Sequence, residues 1–85
     1  MGYYLYILKS QSADKFYSGS SDRPERRLYF HNMIEKEFTA RYRPWELVFT
    51  KEYPTKKDAQ AAERKVKSWK SKIMIKKLIA GETEI

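Results

Sequence analysis

Five side chains of this sequence have types and spacings that could do chemistry: Tyr6, Tyr17, Arg27, His31 and Glu63. Arg27 and His31 stand four apart, which puts them on one face if the segment is helical. Pro24 and Ile34 fall near the same face, so it is expected to pack on a sheet at its ends. A face that mixes Ile with Arg and His is either partly exposed or built round a polar site. Glu63 falls, at 100° per residue, within the arc of Ala59, Ala62, Val66 and Trp69. An inward carboxylate is costly unless it is paired or bound to a cation. It therefore reads either as an ion pair with Arg27 or another buried Arg, or as a ligand for a hard divalent cation. Mg²⁺ sites often use only one or two carboxylates and several waters. Tyr6 and Tyr17 face each other if a hairpin turn is centred between Gln11 and Ser12. They are then a cross-strand aromatic pair, worth roughly 0.2–1 kcal/mol, or two phenols beside Arg27, His31 and Glu63.

The elements that must position these groups follow from the residue pattern. Tyr3 to Lys9 is rich in Tyr, Leu and Ile and reads as a strand. Ser10 to Lys15 is polar and turn-like, and Phe16 to Ser20 reads as a second strand, giving an antiparallel hairpin. Asp22 is placed to cap a helix with Pro24 in its first turn and Glu25 at the capping-box spacing. That helix is expected to run to about Ile34, followed by a polar loop from Glu35 to Arg43. Trp45 to Glu52 alternates as a third strand, with Trp45, Leu47 and Phe49 on one side. Thr55 opens a second helix, with Asp58 as its acidic first-turn residue. Ser71 caps a third that runs to Ala80, and Gly81 stops it. The order is ββαβαα.

With 85 residues, the chain is expected to be a single domain, 1–85, with one compact core. It has no cysteine, which excludes disulfides, thiolate zinc sites and thiol catalysis. A single histidine excludes a two-His zinc site. Stability must come from apolar packing, for which thirteen Phe, Tyr and Trp residues are available. No apolar run approaches the ~18 residues of a membrane span, and Met1–Ser10 lacks the form of a signal peptide. A reducing cytoplasm fits this composition. The net charge of +7 is confined to one block. Between Lys56 and Lys77 there are nine basic residues against Asp58 and Glu63 alone, while the rest of the chain is neutral. Such a localised field favours a polyanion such as nucleic acid, or an anionic membrane surface.

The ordered set Tyr4-Leu5-Tyr6, Tyr17-Ser18-Gly19, Asp22 and Arg27-Leu28-x-x-His31-Asn32 resembles the GIY-YIG nuclease domain. So do Arg43-Pro44-Trp45-Glu46-Leu47-Val48 and Ala62-Glu63-x-x-Val66-Lys67-Ser68-Trp69-Lys70. The resemblance runs from about residue 3 to residue 80 and is greatest to the small stand-alone bacterial members. Tyr4 and Leu5 replace the Gly and Ile of the first tripeptide, and Ser18 replaces the Ile of the second. The resemblance implies an α/β (α+β) sandwich, with a three-stranded antiparallel sheet flanked by helices. It implies a metal-dependent phosphodiesterase acting on DNA. It also assigns site phenols to Tyr6 and Tyr17, a phosphate-binding guanidinium to Arg27, a site imidazole to His31 and the metal carboxylate to Glu63.

On this reading Mg²⁺ or Mn²⁺ at Glu63 neutralises the developing charge. Arg27 holds the phosphate through paired hydrogen bonds, and water attacks in line. Tyr6, Tyr17 and His31 are all candidates for the base. Lys56, Lys57, Arg64, Lys67, Lys70 and Lys72 hold the flanking DNA backbone, largely without regard to sequence. Two rivals share the same residues. One is a non-catalytic nucleic-acid-binding module of this fold. The other is a basic domain that docks on an acidic protein, its polar cluster serving as a buried network.

Overall fold

The computed structural model describes residues 2–85. Its elements are β1 (Tyr3–Ser10), β2 (Phe16–Ser21), α1 (Pro24–Met33), α2 (Phe38–Arg41), β3 (Trp45–Tyr53), α3 (Lys56–Trp69) and α4 (Lys72–Ile79). The expected ββαβαα order holds, with the short α2 added between α1 and β3. The sheet is antiparallel, in the order β2-β1-β3.

The central strand explains the unbroken apolar run in the sequence. Leu5 and Ile7 face one cluster, with Ala62, Val66 and Leu78. Tyr6 and Leu8 face the other, with Trp45 and, packed against it, Tyr17, Leu28, Tyr42 and Leu47. A strand buried on both faces needs apolar residues at every position. Among the described residues no helix is long and apolar enough to cross a membrane.

Two registers differ from the expectation. In the hairpin Tyr6 pairs with Gly19, and Tyr17 with Leu8. The turn sits one residue later because Ser10 organises it. Its Oγ accepts from the backbone N–H of Ser12 and Ala13, and its own N–H donates to Lys15 O. A shift by two keeps each side chain on its face, so the two tyrosine rings remain diagonal neighbours with centroids 6.5 Å apart. In β3 an irregularity opposite Ile7 and Leu8 leaves Val48 without a partner in the register. Trp45 and Leu47 therefore join the Tyr6 cluster, whereas Phe49 packs on the opposite one. The simple alternation of all three on one side fails at that extra residue.

The helix ends show one more correction. Asp22 does not cap α1: Arg23 is the N-cap residue and makes no side-chain cap bond. Ser21 Oγ instead accepts from Arg23 N at 3.0 Å. Ile34 lies beyond α1 and is 52% exposed, so it is not part of the packed face. The other caps form as read. Thr55 accepts from Asp58 N and Ser71 from Met74 N, and Gly81 follows α4 with φ 79°.

Candidate active site

Tyr6 projects from the middle of the sheet and is 1% exposed. Its hydroxyl lies 3.2 Å from Nε2 of His31, which α1 holds over the same sheet face. The hydroxyl also lies across the backbone of Gly19, where a Cβ would overlap it. This close approach gives Gly19 its role. Gly19→Ala is expected to push the phenol away from His31 and cost about 1–3 kcal/mol, the usual size of an overpacking strain. A melting curve checks this, and an unchanged midpoint would show that the phenol has room to spare.

His31 is closed from solvent, and its second nitrogen, Nδ1, lies 3.1 Å from Thr39 Oγ1 in α2. Burial, with the nearby Arg27 charge, pushes the His31 imidazole down to about 4. Burial likewise pushes the Tyr6 phenol up to about 12, although the nearby Arg27 guanidinium pulls the other way. At neutral pH the pair is therefore a protonated phenol and a neutral imidazole. Arg27 is half-buried, with its guanidinium stacked 4.4 Å from the ring centroid of Phe30. Tyr17 is also half-buried, with its ring centroid 4.5 Å from that of His31. Four of the five expected groups thus meet on one side of the sheet.

Glu63 approaches from the other side. Successive residues of a strand point to opposite faces, so Gly19 lies against Tyr6 while Ser20 faces α3. Ser20 Oγ donates to Glu63 Oε1 at 2.7 Å. Lys67 Nζ donates to Glu63 Oε2 at 2.6 Å. The same ammonium lies 5.6 Å from the ring centroid of Tyr17, so Lys67 links the carboxylate to the phenol cluster round the edge strand β2. The expected buried ion pair with Arg27 is not formed. The pairing is instead within α3, one turn along, which is the nearest cation that an i,i+4 spacing supplies.

Among the described residues no three His, Asp or Glu side chains gather into a metal-binding group. A single carboxylate next to a hydroxyl is nonetheless a donor set that suits Mg²⁺, which keeps several of its waters. Glu63 fits that role once Lys67 gives up Oε2.

The basic block divides. Lys67, Lys70 and Lys72 line a groove of about 360 Å³ together with Lys15, Phe16 and Tyr17. Lys72 also pairs with Asp14 at 3.3 Å. Lys56 lies at the other end of α3, 5.9 Å from the Tyr3 ring centroid, roughly 16 Å along the helix from Lys67. Lys57 and Arg64 are exposed on α3. Lys15 escaped the sequence reading because it lies outside the basic block. Thr39, Asn32 and Trp45 escaped it as site supports. Asn32 accepts from Trp45 N at 2.6 Å and donates to Trp45 O at 3.1 Å, which ties the end of α1 to the start of β3. Asn32 and Trp45 stand in the quoted motifs, but nothing in their spacing reveals this clamp.

The geometry defines a small α+β protein whose sheet carries a phenol–imidazole–guanidinium cluster, with a carboxylate at its edge. The model of the GIY-YIG catalytic domain matches residues 2–78. This chain belongs to the GIY-YIG family, a family of nucleases. It is similar to the UPF0213 protein BH0048 from Bacillus halodurans, known from a solution NMR structure. The two are 30% identical, with a TM-score of 0.57, over 94% of this chain and 84% of that one. None of the curated proteins matches the chain.

Proposed function

We propose that this protein, as a single domain, is a metal-dependent endonuclease that hydrolyses DNA phosphodiester bonds with low sequence specificity. The observation that carries this reading is the meeting of Tyr6, Tyr17, Arg27 and His31 on one sheet face, with Glu63 joined to them through Lys67. Tyr17, Arg27 and Glu63 are half-buried and meet a substrate first. Arg27 holds a nonbridging phosphate oxygen with its planar donors. Tyr6 and His31 form the proton-accepting pair beneath. The phenol donates to the imidazole, and Arg27 steadies the phenolate oxygen if that proton moves. Water attacks phosphorus, the bond to the 3′ oxygen breaks, and the water proton passes to the phenol–imidazole pair. A divalent cation, Mg²⁺ or Mn²⁺, held by Glu63 supplies charge neutralisation at the phosphate and at the leaving oxygen.

The test is a digest of several labelled DNA structures with Mg²⁺ or Mn²⁺, alongside Glu63→Ala. Metal-dependent cleavage by the wild type alone is expected. Binding without cleavage of any structure would leave the second reading, a nucleic-acid-binding module of the same fold. One observation favours that alternative: both Glu63 oxygens already have protein partners.

Both readings place a DNA backbone along the lysine groove. Binding is expected to weaken as salt rises, with a slope of about −0.9 per phosphate neutralised. Replacing Lys67 and Lys70 with Ala should flatten the slope by about two such steps. Affinity measured from low to moderate salt checks this, and binding indifferent to salt would remove DNA as the partner.

A further inference from the structure

We propose that Thr39 is a positioning residue, whose hydroxyl oxygen holds the ring proton of His31 on Nδ1 and keeps the Nε2 lone pair aimed at Tyr6. The inference rests on the reading of Tyr6 and His31 as the proton-accepting pair.

Each ring nitrogen of His31 faces one hydroxyl, Tyr6 at Nε2 and Thr39 at Nδ1. The Tyr6 hydroxyl has one hydrogen-bond partner among the described residues, His31 Nε2, 3.2 Å away. For this pair to take up a proton from water, the phenol must hand its own proton to Nε2, so Nε2 must be the bare nitrogen. Were the ring proton on Nε2 instead, the Tyr6 hydroxyl could only accept from the ring and could not pass its proton to it. A neutral imidazole carries one ring proton, so this one resides on Nδ1. Its acceptor is Thr39 Oγ1, 3.1 Å away. The protonation of one ring nitrogen is set by the hydrogen bond that the other makes.

Thr39 is held for the task. It is 2% exposed, and its carbonyl accepts from the Trp45 indole at 2.7 Å. Trp45 is clamped by Asn32, the residue after His31. Arg43 Nε donates to the carbonyl of His31 at 2.8 Å, which closes the loop that carries α2 back onto α1. When Tyr6 loses its proton, the proton crosses the O–H···N bond to Nε2. The imidazole then carries a proton on each nitrogen, Nδ1 keeps Thr39 as its acceptor, and the negative charge stays on the phenolate beside Arg27. No other atom changes hands.

The chain has one histidine, so nitrogen-15 NMR of its imidazole gives one pair of side-chain signals. In the wild type Nδ1 should show the protonated form and Nε2 the bare form. Thr39→Val keeps the shape but removes the acceptor. It should move the ring proton to Nε2 and slow cleavage roughly 10–100-fold, the size typical of losing a partner that orients an imidazole. Thr39→Ser should restore both. A wild-type ring protonated on Nε2 would overturn the proposal. So would a Thr39→Val protein that keeps both the Nδ1 proton and the wild-type rate. If Thr39→Val does not fold, the wild-type ring and Thr39→Ser decide it. If the wild type cuts no DNA, the nuclease reading fails while the imidazole signals still judge Thr39.

Discussion

Glu63→Gln is expected to lower metal-dependent cleavage by at least about 100-fold, the scale of losing a group that stabilises transition-state charge, while leaving the fold nearly intact. The amide matches the carboxylate in size and can still accept from Ser20, but it carries no charge to hold a cation. The stability cost should be small because the partner is Lys67, in an i,i+4 pair whose side chains are 49% and 22% exposed. Such pairs contribute about 0.3–0.5 kcal/mol. In a domain of this size that moves the melting midpoint by only a few degrees, about 5 °C at most. Had Glu63 paired with a buried Arg, the same change would have stranded a guanidinium at about 3–5 kcal/mol. Melting curves without metal, and cleavage with and without Mg²⁺, are the measurements. A large melting loss with no cleavage by either protein would make Glu63 a structural residue.

The second large effect is in the pH dependence of stability. The His31 imidazole is held down to about 4 by burial and by Arg27 and Arg43, against the opposing pull of Glu35. Unfolded, it titrates near 6.5. Between those two values the unfolded chain binds the proton that the folded chain refuses. Stability is therefore full above about pH 6.5 and falls as pH drops towards about 4, by on the order of 3 kcal/mol. Below that the group contributes no further loss. Tyr6, which also faces the ring and is pushed up to about 12, keeps its proton throughout this window. Asp14, whose exposed carboxyl is held below its ordinary value by Lys72 and Lys76, stays charged through this window. The comparison is with His31→Gln, which is polar but does not titrate. Melting midpoints from pH 7 to pH 4 should converge towards neutral in their slopes and diverge below pH 6.5. Parallel curves for the two proteins would show that His31 is not held neutral by the fold.

Much of this was legible because local rules set it. The two-sided apolar run of β1, the Thr55 and Ser71 caps and the Gly81 stop each depend on residues within a few positions of one another. The i,i+4 spacing put Arg27 and His31 on one face of α1, and period-two alternation kept Tyr6 and Tyr17 on one side of the sheet even though the register moved. Where a side chain overrode the local pattern, the reading failed. Ser10 displaced the hairpin turn, Arg23 rather than Asp22 became the N-cap residue of α1, and one extra residue in β3 sent Phe49 to the far cluster. Four residues of α2 are too few to show a period, and that turn is tied down by the distant Trp45 indole.

By itself the sequence determined the element order, the residues available for chemistry and the confinement of net charge to the segment from Lys56 to Lys77. These depend on composition and short-range spacing, which the chain carries before it folds. Only the tertiary structure decided which of those residues meet. It seated the Tyr6 phenol in the gap left by Gly19, gave His31 one partner on each ring nitrogen, brought Lys15 to the lysine groove and turned Glu63 to Ser20 and Lys67 rather than to Arg27. Each of these contacts but the Glu63–Lys67 pair joins different elements. Their geometry is fixed by strand register and by how each helix packs on the sheet, and a shift of one residue in a strand reverses the face on which every side chain lies.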